Sequence, residues 1–471
     1  MDAGVNVQQG DAFRDSVGTI GSDGKRKWIY PKKPHGRFYN KRAIVSVILL
    51  TLLFSGPFMK WDGHPFLLFN VLERKFILFG IPFWPQDFFL FVLAMLTFFV
   101  FIILFTSVFG RVWCGWACPQ TIFMEMVFRK VEYWVEGDAQ RQRQLADAPW
   151  NSEKIRKKLL KHGVFFLLSF LIANTFLAYL IGIDKLGLLV SDGPLAHAGS
   201  FFSLFAFTGV FYGVYARFRE QACLVVCPYG RLQGVLLDRN SVVIAYDYKR
   251  GEPRGKLHRD QVRSSGDCVD CHQCVDVCPT GIDIRNGTQL ECVNCTACID
   301  ACDGVMEKVG FRKGLIRYAS EENVASGNSF KVTGRIIGYS LLLVLLFSTL
   351  VTLLAMRSDV EATLLRTPGQ MYQQLDSMHY SNLYNIQIAN KTFRDVPVQL
   401  EFAEKSVKGE IRYVGAPLDR VAKDSLAEAV LFIVLPTRSI KGLKTPVTLK
   451  LISEGKEVGR VTTNFMGPVS R

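Results

Sequence analysis

The sequence predicts a multidomain integral membrane protein: an α-helical bundle of about five spans, a bacterial-type two-cluster 4Fe–4S ferredoxin domain and a C-terminal all-β domain. Three observations carry this. Eight of the twelve cysteines fall in two copies of one spacing, five apolar runs have membrane-spanning length, and the last part of the chain alternates apolar and polar positions.

The cysteine runs read Cys268-x2-Cys271-x2-Cys274-x3-Cys278-Pro279 and Cys292-x2-Cys295-x2-Cys298-x3-Cys302, each member of the second lying 24 residues after its counterpart. In a two-cluster ferredoxin four thiolates hold each cube, and the fourth cysteine of each run serves the other run's cluster. Cys268, Cys271, Cys274 and Cys302 are therefore assigned to one cluster, and Cys292, Cys295, Cys298 and Cys278 to its neighbour. Zinc wants Cys-x2-Cys pairs separated by a longer gap, and a disulfide framework gives no reason for a 24-residue repeat. The expected chemistry is one-electron transfer.

With 49% hydrophobic residues and 36 phenylalanines, the chain is too apolar for a soluble ferredoxin. Spans are read at 43–59, 88–109, 163–183, 199–215 and 334–356. A helix of about 20 apolar residues crosses about 30 Å of hydrocarbon. Residues 1–24 are polar and include acids, so no cleavable signal is expected ahead of the first span.

Loop charge sets the expected orientation. Between Lys25 and Arg42 stand eight Lys or Arg and no acid, and 110–162 carries Arg111, Arg129, Lys130, Arg141, Arg143 and a basic run from Lys154 to Lys161. The loops after the first and third spans are short and nearly neutral. Basic loops stay inside, which places the N-terminus, 110–162 and the ferredoxin segment in the cytoplasm and the residues after 356 on the far side. The chain divides into a basic segment 1–42, a four-span domain 43–217, a cytoplasmic segment 218–333 with its ferredoxin core at 260–310, a fifth span 334–356 and an outer β domain 357–471. The net charge of +14 reflects this topology and attraction to anionic membrane lipid, not nucleic acid. Thiols awaiting metal also survive best in a reducing compartment.

Period-two segments at 383–388, 396–402, 410–414 and 446–452, with an apolar run at 429–435, read as a small β sandwich without cysteine. Turn residues near Gly415 and Gly455 separate the runs. The stretch 358–381 is expected to be a polar connector, part helical. The module shows no chemistry of its own, and docking to a partner outside the membrane is its default role.

The remaining cysteines form Arg111-Val-Trp-Cys114-Gly-Trp-Ala-Cys118-Pro119 and Cys223-Leu-Val-Val-Cys227-Pro228-Tyr-Gly-Arg231. Both words are Cys-x3-Cys-Pro, and both follow an even-numbered span where it reaches the inner face, so the two are expected to meet. Residues four apart share a helix face, and proline suits the first position of a new helix, making Cys118 and Cys227 its N-caps. The helix dipole, with Arg111 and Arg231 nearby, favours thiolate. Four such thiols suit a soft metal such as Cu(I), zinc or iron–sulfur, or two dithiol couples. Met124 and Met126 are expected to pack on the membrane-facing side of a helix at 121–135, and Glu125 to snorkel from it. His64, His197 and the pair Met378-His379 are further copper candidates whose ordinary reading is surface or packing. No Gly-rich dinucleotide fingerprint and no Cys-x2-Cys-His word occurs, so neither NAD(P)H nor haem is expected here.

The phrase Lys27-Trp-Ile-Tyr-Pro-Lys, the run from Trp113 through Cys114, Cys118 and Met126 to Arg129, the Cys227-Pro-Tyr-Gly-Arg turn and the ferredoxin repeat together resemble the FixG/CcoG/RdxA family. Those are accessory proteins for assembly of cbb-type cytochrome c oxidase. Asp303 departs from the proline that often follows the last ferredoxin cysteine, leaving all eight ligands intact. The resemblance implies an immunoglobulin-like fold for the β domain and a place in the bacterial inner membrane, with that domain in the periplasm. It further implies a cupric reductase: a cytoplasmic electron donor feeds two 4Fe–4S clusters, and copper is reduced at Cys114, Cys118, Cys223 and Cys227. Cu(I) then passes to a copper chaperone or copper-transporting ATPase and to oxidase assembly factors. Two rivals remain at this stage: a quinol dehydrogenase-type membrane ferredoxin feeding a respiratory reductase, and a non-enzymatic redox-sensing scaffold.

Overall fold

A computed structural model describes residues 19, 25–61, 63–71, 75–84, 87–193, 195–257, 265–327, 331–369, 371–404 and 408–468. The stretch 1–24, where a signal is not expected, lies outside them apart from Thr19. Two compact units emerge, Met1–Phe58 with Leu93–Phe347 and Met59–Val92 with Ser348–Arg471.

Five described helices are long and apolar enough to cross a membrane: Arg37–Phe58, Phe88–Phe109, Ser152–Ile181, Ala198–Phe218 and Gly334–Ala355. All five lie where the sequence places spans, but two begin well before their apolar runs. The first winds six residues earlier because Asp300, on the ferredoxin helix Ala297–Val309, accepts from the free Phe38 and Tyr39 backbone N–H groups at 3.0 and 2.7 Å. A remote carboxylate thus does the work of an N-cap. Gly36 makes the approach possible, since a Cβ there would stand 2.4 Å from Asp300 Cγ. The third span starts at Ser152, where Asn151 accepts from the Lys154 N–H at 2.8 Å. The basic run assigned to the 110–162 loop therefore fills the first turns of a helix. Its charges are answered there: Glu136 takes Lys158 at 2.7 Å and Lys161 at 3.0 Å.

From the third and fourth spans, Phe165, Ile172 and Tyr215 close on Phe123, Met124 and Phe128. Phe128 stacks on Tyr215 at 4.3 Å and meets the Phe165 edge at 4.8 Å. The ferredoxin core is bracketed by strands Val243–Tyr246 and Ile316–Ala319, paired antiparallel with Tyr246 opposite Ile316. Helices Gln273–Asp276 and Ala297–Val309 each follow a cysteine loop.

In the other unit, strands Glu410–Val414, Ser425–Pro436, His379–Asn390 and Val360–Arg366 lie side by side in that order, with Gln373–Gln374 on one edge. Gln399–Phe402, Lys444–Ser453 and Lys456–Met466 form a second sheet. Tyr384, Ile386, Ile388, Leu431, Ile433 and Leu449 are among the fully buried residues between them. The sandwich is as expected, with one correction: the 358–381 stretch is no part-helical connector, because Val360–Arg366 is a full strand paired to Tyr384–Asn390. Its burial alternates too loosely to read as a period, with Val360 and Leu364 inward.

The loop 59–87 folds with this unit. Asp87 accepts from Arg357 Nη2 at 2.7 Å and from Lys391 Nζ at 2.6 Å, and Lys391 also reaches Glu361 at 2.5 Å. Burial pushes the Asp87 carboxyl up, but the bonds from Arg357 and Lys391 outweigh it and hold the group below its ordinary 3.8. A depressed carboxylate stabilises above its unfolded value and loses that contribution as pH falls through the folded one. Asp87→Asn should therefore cost about 2 kcal/mol at neutral pH, and nothing in strong acid. Hydrogen exchange of Val360–Arg366 in the full chain checks it; equal protection in both proteins at neutral pH would refute the clasp.

Candidate iron–sulfur and thiol site

Two cavities, each with about 330 Å³ of empty space, divide the ferredoxin cysteines. One is lined by Cys268, Cys271, Cys274 and Cys302. The other is lined by Cys278, Cys292, Cys295 and Cys298, with Cys274 also touching its wall. The fourth cysteine of each run thus stands at the other run's cavity, as the spacing predicts. The backbone repeats as faithfully as the thiols. Asp270 and His272 in the first run, and Asn294 and Thr296 in the second, all take left-handed φ of 51° to 68°. Non-glycine residues rarely sit there, and such strain gathers where a structure serves a ligand. Four thiols around an apolar space, cradled by the same strained loop twice, fit a 4Fe–4S cube in each cavity. Burial pushes the Cys274, Cys292 and Cys302 thiols up to about 12, so iron must displace protons to bind.

Sequence reasoning passed over Arg285. It is buried beside the first cavity and forks to Asp270 at 2.5 Å and Asp283 at 2.7 Å. The two carboxylates answer its charge, so its evident role is to tie the Asp270 loop to Asp283 beside the cavity. An isolated arginine has no spacing to betray it.

The Cys-x3-Cys-Pro words do meet. Cys114 lies within electrostatic reach of Cys118 and Cys227, and Cys223 within reach of all three. Further contacts lace the two copies: Arg111 donates to Gly230 O, Thr121 lies near the Cys223 sulfur, and Thr106 bonds Tyr229 at 2.8 Å. The Gln233 amide, fully buried, sits on the Cys114 sulfur, with Nε2 at 3.3 Å and Oε1 at 3.6 Å. Cys118 and Cys227 share one extended backbone conformation, each capping a helix that opens on proline.

Three expectations need correction. The paired cysteines do not share a helix face, because Cys114 sits in the short helix Val112–Trp116, Cys223 in the π turn Ala222–Val226, and each helix breaks before its second cysteine. Thiolate is not favoured at two of the four: burial pushes Cys114 up to about 11 and Cys223 up to about 12. Arg231 is exposed, and Arg111 spends its guanidinium on Leu290 O and Gly230 O. Met124 and Met126 are buried within the protein, not facing lipid, and Glu125 does not snorkel but pairs with Arg129 at 3.0 Å.

The thiol group abuts the second ferredoxin cavity. Cys114 packs against the cluster of Val277, Val293, Cys295 and Ala297. Gly115 allows this, because a Cβ there would stand 2.4 Å from Val293 O and 2.7 Å from Asn294 O. Arg42 Nε ties the Gly115 carbonyl at 2.6 Å. A third cavity, with about 340 Å³ of empty space, reaches from Cys223 and Met124 past Glu125 and Glu220 to Val293. Three π turns border this region, Phe123–Phe128, Val214–Phe218 and Ala222–Val226, and such turns recur at functional sites. The other copper candidates have ordinary partners: His197 pairs with Asp192 at 3.1 Å, His379 with Asp376 at 2.9 Å, and His64 stacks on Phe393 at 3.8 Å.

Comparison with known proteins adds what geometry alone does not. A 4Fe–4S dicluster domain matches 218–321, a 4Fe–4S binding domain matches 91–138, and the Ig-like fold at the C-terminus of FixG matches 350–468. The chain is 39% identical over 321 residues to nitrogen fixation protein FixG of Rhizobium meliloti, spanning 66% of this chain and 60% of that one. It is 35% identical over 385 residues to protein RdxB, and 34% over 384 residues to protein RdxA, both of Cereibacter sphaeroides. Each of those alignments spans 78% of this chain and 80% of the relative.

Proposed function

The chain belongs to the FixG/RdxA family of iron–sulfur membrane proteins, and we propose that it carries electrons from two ferredoxin clusters to Cu(II) during assembly of a cbb-type oxidase. Cys268, Cys271, Cys274 and Cys302 hold one cluster, and Cys292, Cys295, Cys298 and Cys278 the other. The clusters supply single-electron transfer at potentials the protein sets. The observation that carries the reading is the contact of Cys114 with the Cys295 loop, which joins the second cluster cavity to a group of four thiols.

The residues divide the remaining work. Cys114, Cys118, Cys223 and Cys227 form the redox site where the electron leaves for copper, and thiols of this kind retain Cu(I) better than Cu(II). Gly115 and Arg42 hold that site against the second cluster loop. Arg285, paired with Asp270 and Asp283, braces the loop at the first. In this reading the ferredoxin portion faces the cytoplasm and takes electrons from a donor there. The Ig-like domain faces the periplasm, where the oxidase assembly factors or a copper carrier dock.

The test uses full-length protein, purified without oxygen, reduced with dithionite and freed of the excess, then titrated with Cu(II) in the presence of a Cu(I)-specific chelator. Wild type should yield Cu(I) in proportion to the electrons stored. Cys118→Ser/Cys227→Ser should lower the rate at least tenfold while the ferredoxin irons remain. An undiminished rate in that variant removes the four thiols from the reaction.

A further inference from the structure

We propose that Cys114, Cys118, Cys223 and Cys227 hold a third 4Fe–4S cluster, making the thiol site a resident relay and not a bare copper site. This deepens the reading above and depends on it only for the assignment to electron transfer.

Ligand number comes first. A 4Fe–4S cube takes four thiolates, yet the 4Fe–4S binding domain matched at 91–138 contains just Cys114 and Cys118. Two thiols leave half a cube without ligands. With eight of the twelve cysteines around the ferredoxin cavities, Cys223 and Cys227 are the other two in the chain, and the fold brings them to the first pair. None of the four is in a disulfide.

Spacing comes next. A mononuclear zinc or copper ion needs its ligands drawn to one point, at about 2.0–2.3 Å. Among the described residues no group of three or more His, Cys, Asp or Glu is placed to hold a single metal ion. A cube spreads its ligands over four corners, so wide sets suit it. The broken helix in each Cys-x3-Cys-Pro word creates that width: the first cysteine stays in one turn, and the second caps the next.

The surroundings are those of a cluster's sulfurs. Hydrogen bonds to ligating sulfur tune a cube's potential. Here the buried Gln233 amide addresses Cys114, with Nε2 at 3.3 Å from the sulfur. The packing of Cys114 against the cluster that contains Val293 and Cys295, with Gly115 close against Val293 O, then places the third site next in line after the second.

Iron and acid-labile sulfide counted on the anaerobically purified full chain give the test. Three cubes require about twelve irons per chain where two require about eight. Wild type is expected at twelve, and Cys118→Ser/Cys227→Ser at eight with the ferredoxin signals intact. Should that variant lose all its iron, Gln233→Leu decides: it should keep twelve irons and displace one of three reduction potentials. Eight irons in wild type, or one Cu(I) held by the four thiols with the iron count unaltered, overturns the third cluster. Cu(II) reduction is measured separately. Twelve irons without it would sink the copper reading alone, and eight irons with it would sink this inference alone.

Discussion

Cys302→Ala should extinguish the cluster of the first cysteine run, not that of the run in which Cys302 itself lies. The residue sits at the end of the second copy of the spacing, but its side chain joins Cys268, Cys271 and Cys274 around one cavity. Cys278, at the end of the first copy, stands with Cys292, Cys295 and Cys298 around the other. A cube deprived of one thiolate in so apolar a space loses its hold, because water cannot readily replace the ligand there. Each variant should lose four irons, and the losses should pair crosswise. Cys302→Ala should match Cys268→Ala in its paramagnetic spectrum and potentials, and Cys278→Ala should match Cys292→Ala. Pairing of Cys302→Ala with Cys292→Ala would overturn the crossed arrangement and the assignment of both cavities. Loss of either cube should also lower Cu(II) reduction by at least tenfold, since a relay fails at any missing step.

The crossed sets were legible because cysteine spacing encodes geometry directly: a fixed loop length leaves little freedom in where the next thiol falls. The twofold Cys-x3-Cys-Pro word was readable for the same reason, and its two copies do meet. What stayed hidden depends on contacts between residues distant in sequence. The start of the first span at Arg37 is set by Asp300, 262 residues beyond Phe38. The third span starts early on the Asn151 cap, and Glu136 answers the basic run that follows, so a run that reads as loop becomes a helix face. Gln233 and Arg285 are lone polar residues in otherwise ordinary segments, so neither spacing nor period marks them. Val360–Arg366 escaped notice because its two inward residues are four apart, a helical interval. Its identity as a strand comes from the His379–Asn390 strand beside it.

The second large effect is expected at Glu132, which carries no redox chemistry. Its two carboxylate oxygens accept from Arg219 Nη1 and Nη2 at 2.9 and 3.0 Å, and both side chains are 2% exposed. Lys161 stands 3.8 Å away, and Arg219 also approaches Glu220 at 3.5 Å. Arg219 lies at a left-handed turn, φ 55°, between the end of the fourth span and the π turn that carries Cys223. The ion pair therefore fixes where that thiol stands. Removing one member of a buried pair costs about 3–5 kcal/mol, because the partner's charge is left without an answer. Glu132→Leu should lower thermal stability in detergent by that amount and loosen the thiol site, read as faster alkylation of Cys223 in protein stripped of metal. Replacing both members with apolar residues of similar size is often close to neutral. Glu132→Leu/Arg219→Met should thus regain most of the stability. If the double variant is no more stable than Glu132→Leu, the pair is not the element that holds the turn, and Cys223 must owe its position to the Phe123, Phe128 and Tyr215 core instead.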